Sequence, residues 1–386
     1  MDLKPVIDSE EKGRADLILL LAVFVLVGIG IVMSYSASAV FAFKQFGDSF
    51  YFLKRQILWF LVGSIALLLF QEIDYRIYKK YTKIMLLLSF ILLILIFIPG
   101  ISHGVKGSVR WLGFGMFRFQ PAEFVKIFIV IYLVKVFSSE RTGMANQVIQ
   151  LLIPMLIIAV IFILIMLQPD FGTAIDLLLV SMFILFVSGF PFIYILMLAI
   201  VSIPMFYLLI YQVDYRRARL MAYLNPWTDR FGNGYHIIQS FIGFKKGGLL
   251  GTGLGFGTQK IRRLPEPHTD FIFAVIAEES GLLGTSCVCI LYIIIFWRGL
   301  SISLKAPDEF GKLLGIGLTL LIIVQAFMNI GVATGSLPTT GIPLPLVSYG
   351  GSSLLSNMIA LGILLNISRY SNNSGLTIRL DNKVLQ

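Results

Sequence analysis

Long apolar runs, separated by short polar segments, dominate the pattern of hydrophobic and polar positions along the 386 residues. A helix needs about 20 mostly apolar residues to cross a membrane. Ten segments meet this requirement, at residues 16–36, 53–70, 82–98, 121–137, 148–167, 171–189, 191–211, 271–297, 313–334 and 350–368. The pattern therefore predicts an all-α polytopic membrane protein with about ten transmembrane helices, folded as a single domain over residues 1–386.

The composition supports this class. Hydrophobic residues make up 57% of the chain and charged residues only 13%, whereas soluble globular proteins carry about 25% charged residues. With so little polar surface, the net charge of +10 indicates contact with membrane lipid and an anionic substrate, and no nucleic-acid partner is expected. Cys287 and Cys289 lie in one apolar run and predict no disulfide framework.

Basic residues set the predicted orientation. With the N-terminus inside, the inner segments hold 15 Lys and Arg and the short outer loops hold six, as the positive-inside rule requires. The long outer loop adds nine more, but loops of that length report poorly on topology. No cleavage site follows the first apolar run, which is predicted to remain as a signal-anchor helix. Both termini are therefore expected in the cytoplasm.

The large extracytoplasmic loop between helices 7 and 8, residues 212–270, is far longer than ordinary connectors and is therefore a candidate for function. Two interpretations of its bases stay open, an anionic ligand at the outer surface or contact with anionic headgroups. Its glycine-rich part, residues 243–257, lacks a nucleotide-binding spacing and is predicted to be a flexible or closely packed substrate loop. The bases are Arg216, Arg217, Arg219, Arg230, Lys245, Lys246, Lys260, Arg262 and Arg263.

Residues 109–126 (VRWLGFGMFRFQPAEFVK) lead into the fourth span. Glu123 and Lys126 are three residues apart and share one face of that helix. Either the two charges neutralise each other, or Lys126 joins the two arginines of the segment in holding a phosphate. The candidate substrate-binding residues here are Arg110, Trp111, Arg118, Gln120, Glu123 and Lys126.

Two other segments break the apolar pattern. Asp170, in the almost loop-free junction between spans five and six, is well placed to cap the sixth helix. Residues 338–353 (PTTGIPLPLVSYGGSS) are too apolar for a solvated loop and too rich in Pro and Gly for a helix. They are predicted to form a re-entrant element that lines a cavity.

A polar cluster at residues 262–270 lies directly before the eighth span. Asp270 ends this cluster, and Glu266 is held between two prolines. A carboxylate at the edge of an apolar helix is placed to act as a general base; alternatively, Asp270 caps the helix. Glu278 and Glu279 lie deeper in the span and are predicted to bind a buried base such as Lys126.

No metal site or cofactor is predicted. His103, His236 and His268 show no ligand spacing, and the chain contains no D-x-D pair that would hold a metal-bound nucleotide diphosphate. No Ser-His-Asp or G-x-S-x-G pattern occurs either. A requirement for a divalent cation stays open.

Five motifs, in this order, resemble the SEDS proteins (FtsW, RodA, SpoVE), and the resemblance runs from residue 33 to the last span. They are RW at 110–111, QPAE at 120–123 followed by Lys126, QPD at 168–170, LPEPHTDFIF at 264–273 and SYGGSS at 348–353. Residues 33–38 (MSYSAS) and 219–229 (RLMAYLNPWTD) look most like the FtsW division branch.

SEDS proteins are peptidoglycan glycosyltransferases of the bacterial cytoplasmic membrane. The resemblance implies that the chain polymerises lipid II, a disaccharide-pentapeptide on undecaprenyl pyrophosphate, in cell division or elongation. It also implies a class B penicillin-binding protein (transpeptidase) and divisome or elongasome proteins as partners. A lipid II flippase or a non-catalytic divisome scaffold remain alternatives.

The family's essential aspartate maps onto Asp270. Glycosyl transfer needs a base that takes the proton of the acceptor hydroxyl and cations that stabilise the leaving pyrophosphate. A single base with no second carboxylate beside it suits an inverting displacement. The substrate-binding candidates near Asp270 are Lys260, Arg262, Arg263, Glu266, His268, Thr269, Ser348 and Tyr349.

Overall fold

The computed structural model shows a mostly helical protein. It describes residues 13–98, 100, 102–105, 108–114, 117–139, 144–193, 196–197, 200, 207, 211, 213–232, 234–258 and 268–371. The helices are α1 (Leu17–Phe46), α2 (Tyr51–Glu72), α3 (Arg76–Leu95), α4 (Pro121–Phe137), α5 (Met144–Leu167), α6 (Phe171–Val187), α7 (Asp214–Leu224), α8 (Tyr235–Gly247), α9 (Ile272–Leu304), α10 (Glu309–Ala333) and α11 (Gly351–Ser371).

Nine of the ten predicted spans coincide with α1 to α6 and α9 to α11, which confirms the helical class. The span predicted at 191–211 lies largely outside the described residues. Of the described helices, α1, α2, α9, α10 and α11 are both long and apolar enough to cross a membrane, so the chain is a multi-pass membrane protein. The helices α1, α3 and α9 extend beyond their apolar runs, because polar residues outside the hydrocarbon can continue a helix.

Helices α4, α10 and α11 form the centre of the bundle. In the most apolar stretches of α10 and α11, 78% and 83% of the residues are buried, against 22% in α2. Helix α2 exposes Leu58, Leu61 and Ile65 on its outer side, as expected for a helix that faces lipid. The core is therefore shared by three helices that the remaining spans surround.

A small antiparallel sheet precedes α4. Its strands are β1 (Ser102–Val105), β2 (Ser108–Phe114) and β3 (Phe117–Phe119), in the order β1-β2-β3. Trp111 pairs with His103, and Gly113 pairs with Arg118. The sequence analysis did not predict this sheet, because its strands are short and interrupted by glycine.

Residues 335–350 connect α10 to α11 without regular secondary structure, and residues 340, 342 and 344–348 among them are buried. A backbone without regular secondary structure leaves carbonyl groups without backbone hydrogen-bond donors. Side chains from other elements donate to these carbonyl groups instead. Gln325 donates to the carbonyl of Pro343 at 3.1 Å, and Asn329 donates to the carbonyl of Ile342 at 2.7 Å. Ser34 donates to the carbonyl of Val347 at 3.4 Å, and the Tyr292 hydroxyl donates to the carbonyl of Pro345. The predicted absence of a helix is confirmed for residues 338–350. Residues 351–353 begin α11, and re-entry into the membrane stays a prediction.

The segment predicted as one large loop contains α7, a short 3₁₀ helix (Pro226–Asp229) and α8. Helix α8 packs closely along the first part of α9. A Cβ atom on Gly247 would lie 1.8 Å from the carbonyl oxygen of Ala277, so only glycine permits this approach.

Helix α9 is broken at Gly281, where φ is 62° and ψ is −157°. The glycine-rich turn that follows α8 packs into this break. Gly248 accepts a hydrogen bond from Leu282 N at 2.9 Å, and Thr252 N donates to the Glu278 carbonyl at 2.9 Å. These bonds replace those that the break removes from the helix, so the turn and the break stabilise each other.

We expect Gly281→Ala to lower the thermal midpoint of the detergent-purified protein. This backbone conformation is essentially restricted to glycine and costs other residues about 1–3 kcal/mol. In addition, the new Cβ would lie 2.4 Å from Gly251 N. Gly28→Ala is the matched control, since a Cβ there meets nothing within 4 Å and alanine favours the helix interior. Equal midpoints for the two variants would contradict this packing.

Candidate active site

Asp270 lies in the turn that precedes α9, with its side chain partly exposed. Three hydrogen bonds from the bundle core fix the backbone of this turn. They run from Asn329 Nδ2 to the Asp270 carbonyl at 2.9 Å, from Ser348 Oγ to the Thr269 carbonyl at 2.6 Å and from Tyr349 N to the His268 carbonyl at 2.9 Å. The turn is therefore held against α10 and the irregular segment 335–350.

The carboxylate of Asp270 lies close to Gly341. A Cβ atom at that position would lie 3.7 Å from Asp270 Oδ2, and the glycine itself is exposed with φ +77°. A residue with a side chain would be strained there and would narrow the approach to the carboxylate. On the side that faces Gly341, Asp270 is thus bordered by bare backbone.

Asp270 is not the capping residue of α9. The helix begins at Ile272, and the cap position belongs to Phe271, which makes no side-chain capping bond. In the structure the N-cap position of α9 thus falls one residue after Asp270. A fixed, partly exposed carboxylate can accept a proton from a hydroxyl that approaches within hydrogen-bond distance.

His268 lies behind this turn and is only 4% exposed. Its ring packs among aromatic rings, with centroid distances of 4.5 Å to Phe52, 5.6 Å to Tyr349 and 6.0 Å to Phe41. The ring therefore contributes to the packing behind the turn in this conformation.

The strand β2 brings Arg110 to the start of α6. Arg110 Nη1 lies 3.5 Å from the carboxylate of Asp170, and Arg110 Nη2 donates to the Pro169 carbonyl. Gln120 Nε2 donates to the same carboxylate at 3.0 Å. Asp170 also accepts from Thr173 N at 3.3 Å, which confirms its predicted role as the N-cap of α6. In this conformation Arg110 balances a buried acid.

Lys126 lies at the centre of the bundle and is 1% exposed. Its Nζ lies 3.0 Å from Asp176 Oδ2, 3.0 Å from Gln325 Oε1 and 3.3 Å from Glu123 Oε2. An ammonium group has three N–H donors, and these three oxygens match that number. Of the two alternatives that the sequence left open, the geometry favours charge neutralisation over phosphate binding.

The prediction that Glu278 and Glu279 bind Lys126 is wrong. Glu278 accepts from Thr258 N at 2.9 Å, and Glu279 accepts from Gly255 N at 3.1 Å and from Ser36 Oγ at 2.7 Å. Both acids thus hold the glycine-rich turn in the break of α9. The prediction failed because it treated α9 as a continuous helix. The sequence also gave no indication that backbone N–H groups of the glycine-rich turn would contact these two acids.

The structure leaves several predicted site residues undescribed or at a distance from Asp270. Trp111 is half-buried on β2. The hydroxyl of Ser348 donates a hydrogen bond to the backbone carbonyl of Thr269, within the turn that carries Asp270. The side chain of Arg118 is not among those described. Lys260, Arg262, Arg263 and Glu266 lie outside the described residues.

Three residues that the sequence analysis missed complete the two polar centres. Asn329 orients the Asp270 turn, whereas Gln325 and Asp176 surround Lys126. Each is an isolated polar residue in a long apolar run, and that isolation was the available signal. Among the described residues, no group of three His, Cys, Asp or Glu is arranged to hold a metal ion.

The chain is similar to known proteins over nearly its whole length. The family model FTSW_RODA_SPOVE, described as "Cell cycle protein", matches residues 17–373. The "Probable peptidoglycan glycosyltransferase FtsW" of Geobacter metallireducens is 42% identical over 378 residues, which are 95% of this chain and 98% of that protein. The "Stage V sporulation protein E" of Bacillus subtilis is 41% identical over 364 residues, which are 94% and 99%.

Solved structures with the same fold give a similar result. One, described under "Structural coordination of polymerization and crosslinking by a peptidoglycan synthase complex", superposes with a TM-score of 0.76 at 26% identity, covering 92% of this chain and 98% of that one. The rod shape determining protein RodA of Thermus thermophilus superposes with a TM-score of 0.69 at 25% identity and the same coverage.

Proposed function

The chain belongs to the FTSW_RODA_SPOVE family, and from this premise we propose that it is a peptidoglycan glycosyltransferase that polymerises lipid II. Relatives at 42% and 41% identity carry the FtsW and sporulation names, and the motifs are most like the FtsW branch. The observation that carries the proposal is the position of Asp270, a partly exposed carboxylate on a turn that the bundle core fixes.

In the proposed reaction Asp270 acts as the general base. It takes the proton from the hydroxyl of the acceptor sugar while that oxygen bonds to the anomeric carbon of the donor. The bond between this carbon and the pyrophosphate breaks on the opposite face, and undecaprenyl pyrophosphate leaves with the electron pair. The configuration at the anomeric carbon inverts, because one displacement occurs without a covalent enzyme intermediate.

The proposed setting is the cytoplasmic membrane of a bacterium, with both termini in the cytoplasm and Asp270 on the outer side. A class B penicillin-binding protein is the proposed partner, since one structural neighbour belongs to a complex described as coordinating polymerization and crosslinking. Divisome or elongasome proteins would place this pair at the site of wall growth.

The direct test is to mix the detergent-purified chain with lipid II and to measure glycan polymer. We expect polymer to form, and to form faster when the partner transpeptidase is added, because association stabilises the active conformation. A flippase would move lipid II across a vesicle membrane without making polymer, and a scaffold would do neither. Absence of polymer from a folded complex of the two proteins would contradict the proposal.

The proposed orientation is tested by cysteine labelling in a variant without Cys287 and Cys289. Phe231 is 89% exposed in the outer segment, and Lys305 is exposed between α9 and α10. We expect an impermeant thiol reagent applied to intact cells to label Phe231→Cys and not Lys305→Cys. The reverse pattern would place Asp270 in the cytoplasm, away from the growing wall.

A further inference from the structure

Two contacts between α1 and α9, both long and apolar enough to cross a membrane, place these helices relative to the bilayer. At one level the Asp16 carboxylate accepts from Arg298 Nε at 3.0 Å, and at another Ser36 Oγ donates to Glu279 Oε2 at 2.7 Å. Ser36 follows Asp16 by 20 residues, and Arg298 follows Glu279 by 19. At 1.5 Å per residue both intervals are about 30 Å, the thickness of the hydrocarbon core. Because an ion pair belongs outside the hydrocarbon, Glu279 lies near the opposite limit of the core.

The glycine-rich turn that follows α8, residues 248–257, extends past this limit. Leu283 N donates to the carbonyl of Leu249 at 3.3 Å. Position 283 lies one helical turn beyond Glu279, which is about 6 Å further into the hydrocarbon. Since α8 packs along the first part of α9, the chain reaches this depth from the side of the membrane on which Asp270 lies.

The exposed side chains of this turn are apolar. Residues 247–259 contain no charged residue. Four large side chains of the turn are between 59% and 77% exposed, namely Leu249, Leu250, Leu254 and Phe256. On α9 at the same level, Leu282 and Leu283 are also more than half exposed. A cluster of exposed apolar side chains is unfavourable in water and suits contact with lipid chains.

The backbone of the turn is also suited to a membrane. Irregular backbone at this depth needs internal hydrogen-bond partners, because the hydrocarbon offers no water. Glu278 and Glu279 each accept through the backbone carbonyl and through the carboxylate. The donors lie at 2.9–3.1 Å and are the backbone N–H groups of Thr252, Gly253, Gly255 and Thr258. A turn surrounded by water would obtain acceptors from the solvent, so the two buried acids favour contact with lipid.

Two lysines lie at the level of the headgroups. Lys245 and Lys246 are exposed and belong to the last turn of α8. They lie between the positions of α8 that pack against Ala274 and Ala277, which places them about 3–8 Å outside the hydrocarbon. Lys246 donates to the Thr258 hydroxyl at 2.6 Å, and this neutral partner leaves its charge in place. Ammonium groups at this level suit the phosphates of anionic lipids.

We infer that the glycine-rich turn is a membrane anchor. Residues 248–257 insert into the leaflet on the side of Asp270, with their four large apolar side chains among the lipid chains. Lys245 and Lys246 bind anionic headgroups above them. Because the same turn fills the break in α9, its insertion also fixes the distance of Asp270 from the lipid surface. This inference goes beyond the proposed reaction and does not depend on it.

The test measures depth in the full-length protein without Cys287 and Cys289, in vesicles of phosphatidylethanolamine and phosphatidylglycerol. A nitroxide label is attached to Leu250→Cys or Leu254→Cys, and its relaxation by oxygen is compared with that by a water-soluble nickel chelate. We expect the ratio of oxygen to nickel relaxation to be severalfold higher than at Phe231→Cys, the matched control. Phe231 is 89% exposed in the segment before α8. Leu283→Cys, on α9, is the reference for contact with lipid and should resemble the two turn positions.

Two results would overturn the anchor. A nickel effect at positions 250 and 254 as large as at Phe231→Cys would place the turn in water. Protection of both labels from both reagents would mean that a protein surface, such as a helix of another membrane protein, covers the turn. Two positions are labelled so that one variant carries the test if the other does not fold. The outcome is independent of any polymerase assay.

The lysines are tested by changing the lipid. Replacing phosphatidylglycerol with phosphatidylcholine should lower the thermal midpoint of the wild type more than that of the double variant Lys245→Gln and Lys246→Gln. Lys54→Gln is the matched control, because Asp48 at 2.8 Å already balances that exposed lysine, and it should respond as the wild type does. An equal response of the wild type and the double variant would overturn the assignment of the lysines to headgroups.

Discussion

Replacing Lys126 with methionine should destabilise the protein by about 3–5 kcal/mol, because it leaves Glu123 and Asp176 buried without their cation. Methionine fills a similar volume, so the loss reports on charge rather than on packing. The measurement is the thermal midpoint of the detergent-purified variant, together with its yield in the membrane. A decrease that large is a substantial part of the stability of a typical protein.

The sharper comparison is with Asp176→Asn. This variant removes one of two acids around a single lysine and leaves Lys126 and Glu123 as a balanced pair, 3.3 Å apart. We therefore expect Asp176→Asn to lower the midpoint much less than Lys126→Met. Lys312→Ala, which breaks an exposed pair with Glu309, should change the stability by no more than about 1 kcal/mol. Equal losses for Lys126→Met and Lys312→Ala would contradict a charge-balanced core.

The helices could be predicted from the sequence because each carries its own signal, an apolar run of sufficient length. The broken helix α9 could not be predicted in this way. Gly281 is one glycine among many, and its role depends on residues 248–253, which pack into the break from a distant part of the chain. The acids Glu278 and Glu279 were misassigned for the same reason, since the backbone N–H groups and the Ser36 hydroxyl that donate to them are not revealed by local patterns.

The candidate site was partly predictable. Asp270 stood out because a carboxylate next to an apolar run is costly unless it has a function. Its supports were not predictable, because Asn329 and Ser348 reach the turn from elements about 60 and 80 residues further along the chain.

Replacing Asp270 with asparagine should reduce polymerisation by about 10²–10⁴-fold, the usual contribution of general-base catalysis. Asparagine keeps the size of the side chain but cannot take the proton of the acceptor hydroxyl. The hydrogen bond that Asn329 donates is to the backbone carbonyl and is kept, so the variant should fold and still bind lipid II. His268→Ala should cost less, because the His268 ring is buried among aromatic rings behind the turn.

Asp48→Asn is the matched control for charge. A hydrogen bond from Lys54 lowers the pKa of Asp48, so this exposed acid is ionised at neutral pH and the substitution removes one full negative charge. It lies in the short turn between α1 and α2, and its described hydrogen bonds are from Phe50 N and Lys54 beside that turn. We expect its rate of polymerisation to equal that of the wild type.

The most direct measurement is therefore the rate of glycan polymer formation from lipid II by the purified wild type, Asp270→Asn and Asp48→Asn, each with its thermal melting curve. The account predicts wild-type rates for Asp48→Asn, an almost complete loss for Asp270→Asn and similar melting curves for all three. A wild-type rate in a well-folded Asp270→Asn protein would contradict the catalytic role of Asp270 and would favour transport of lipid II instead.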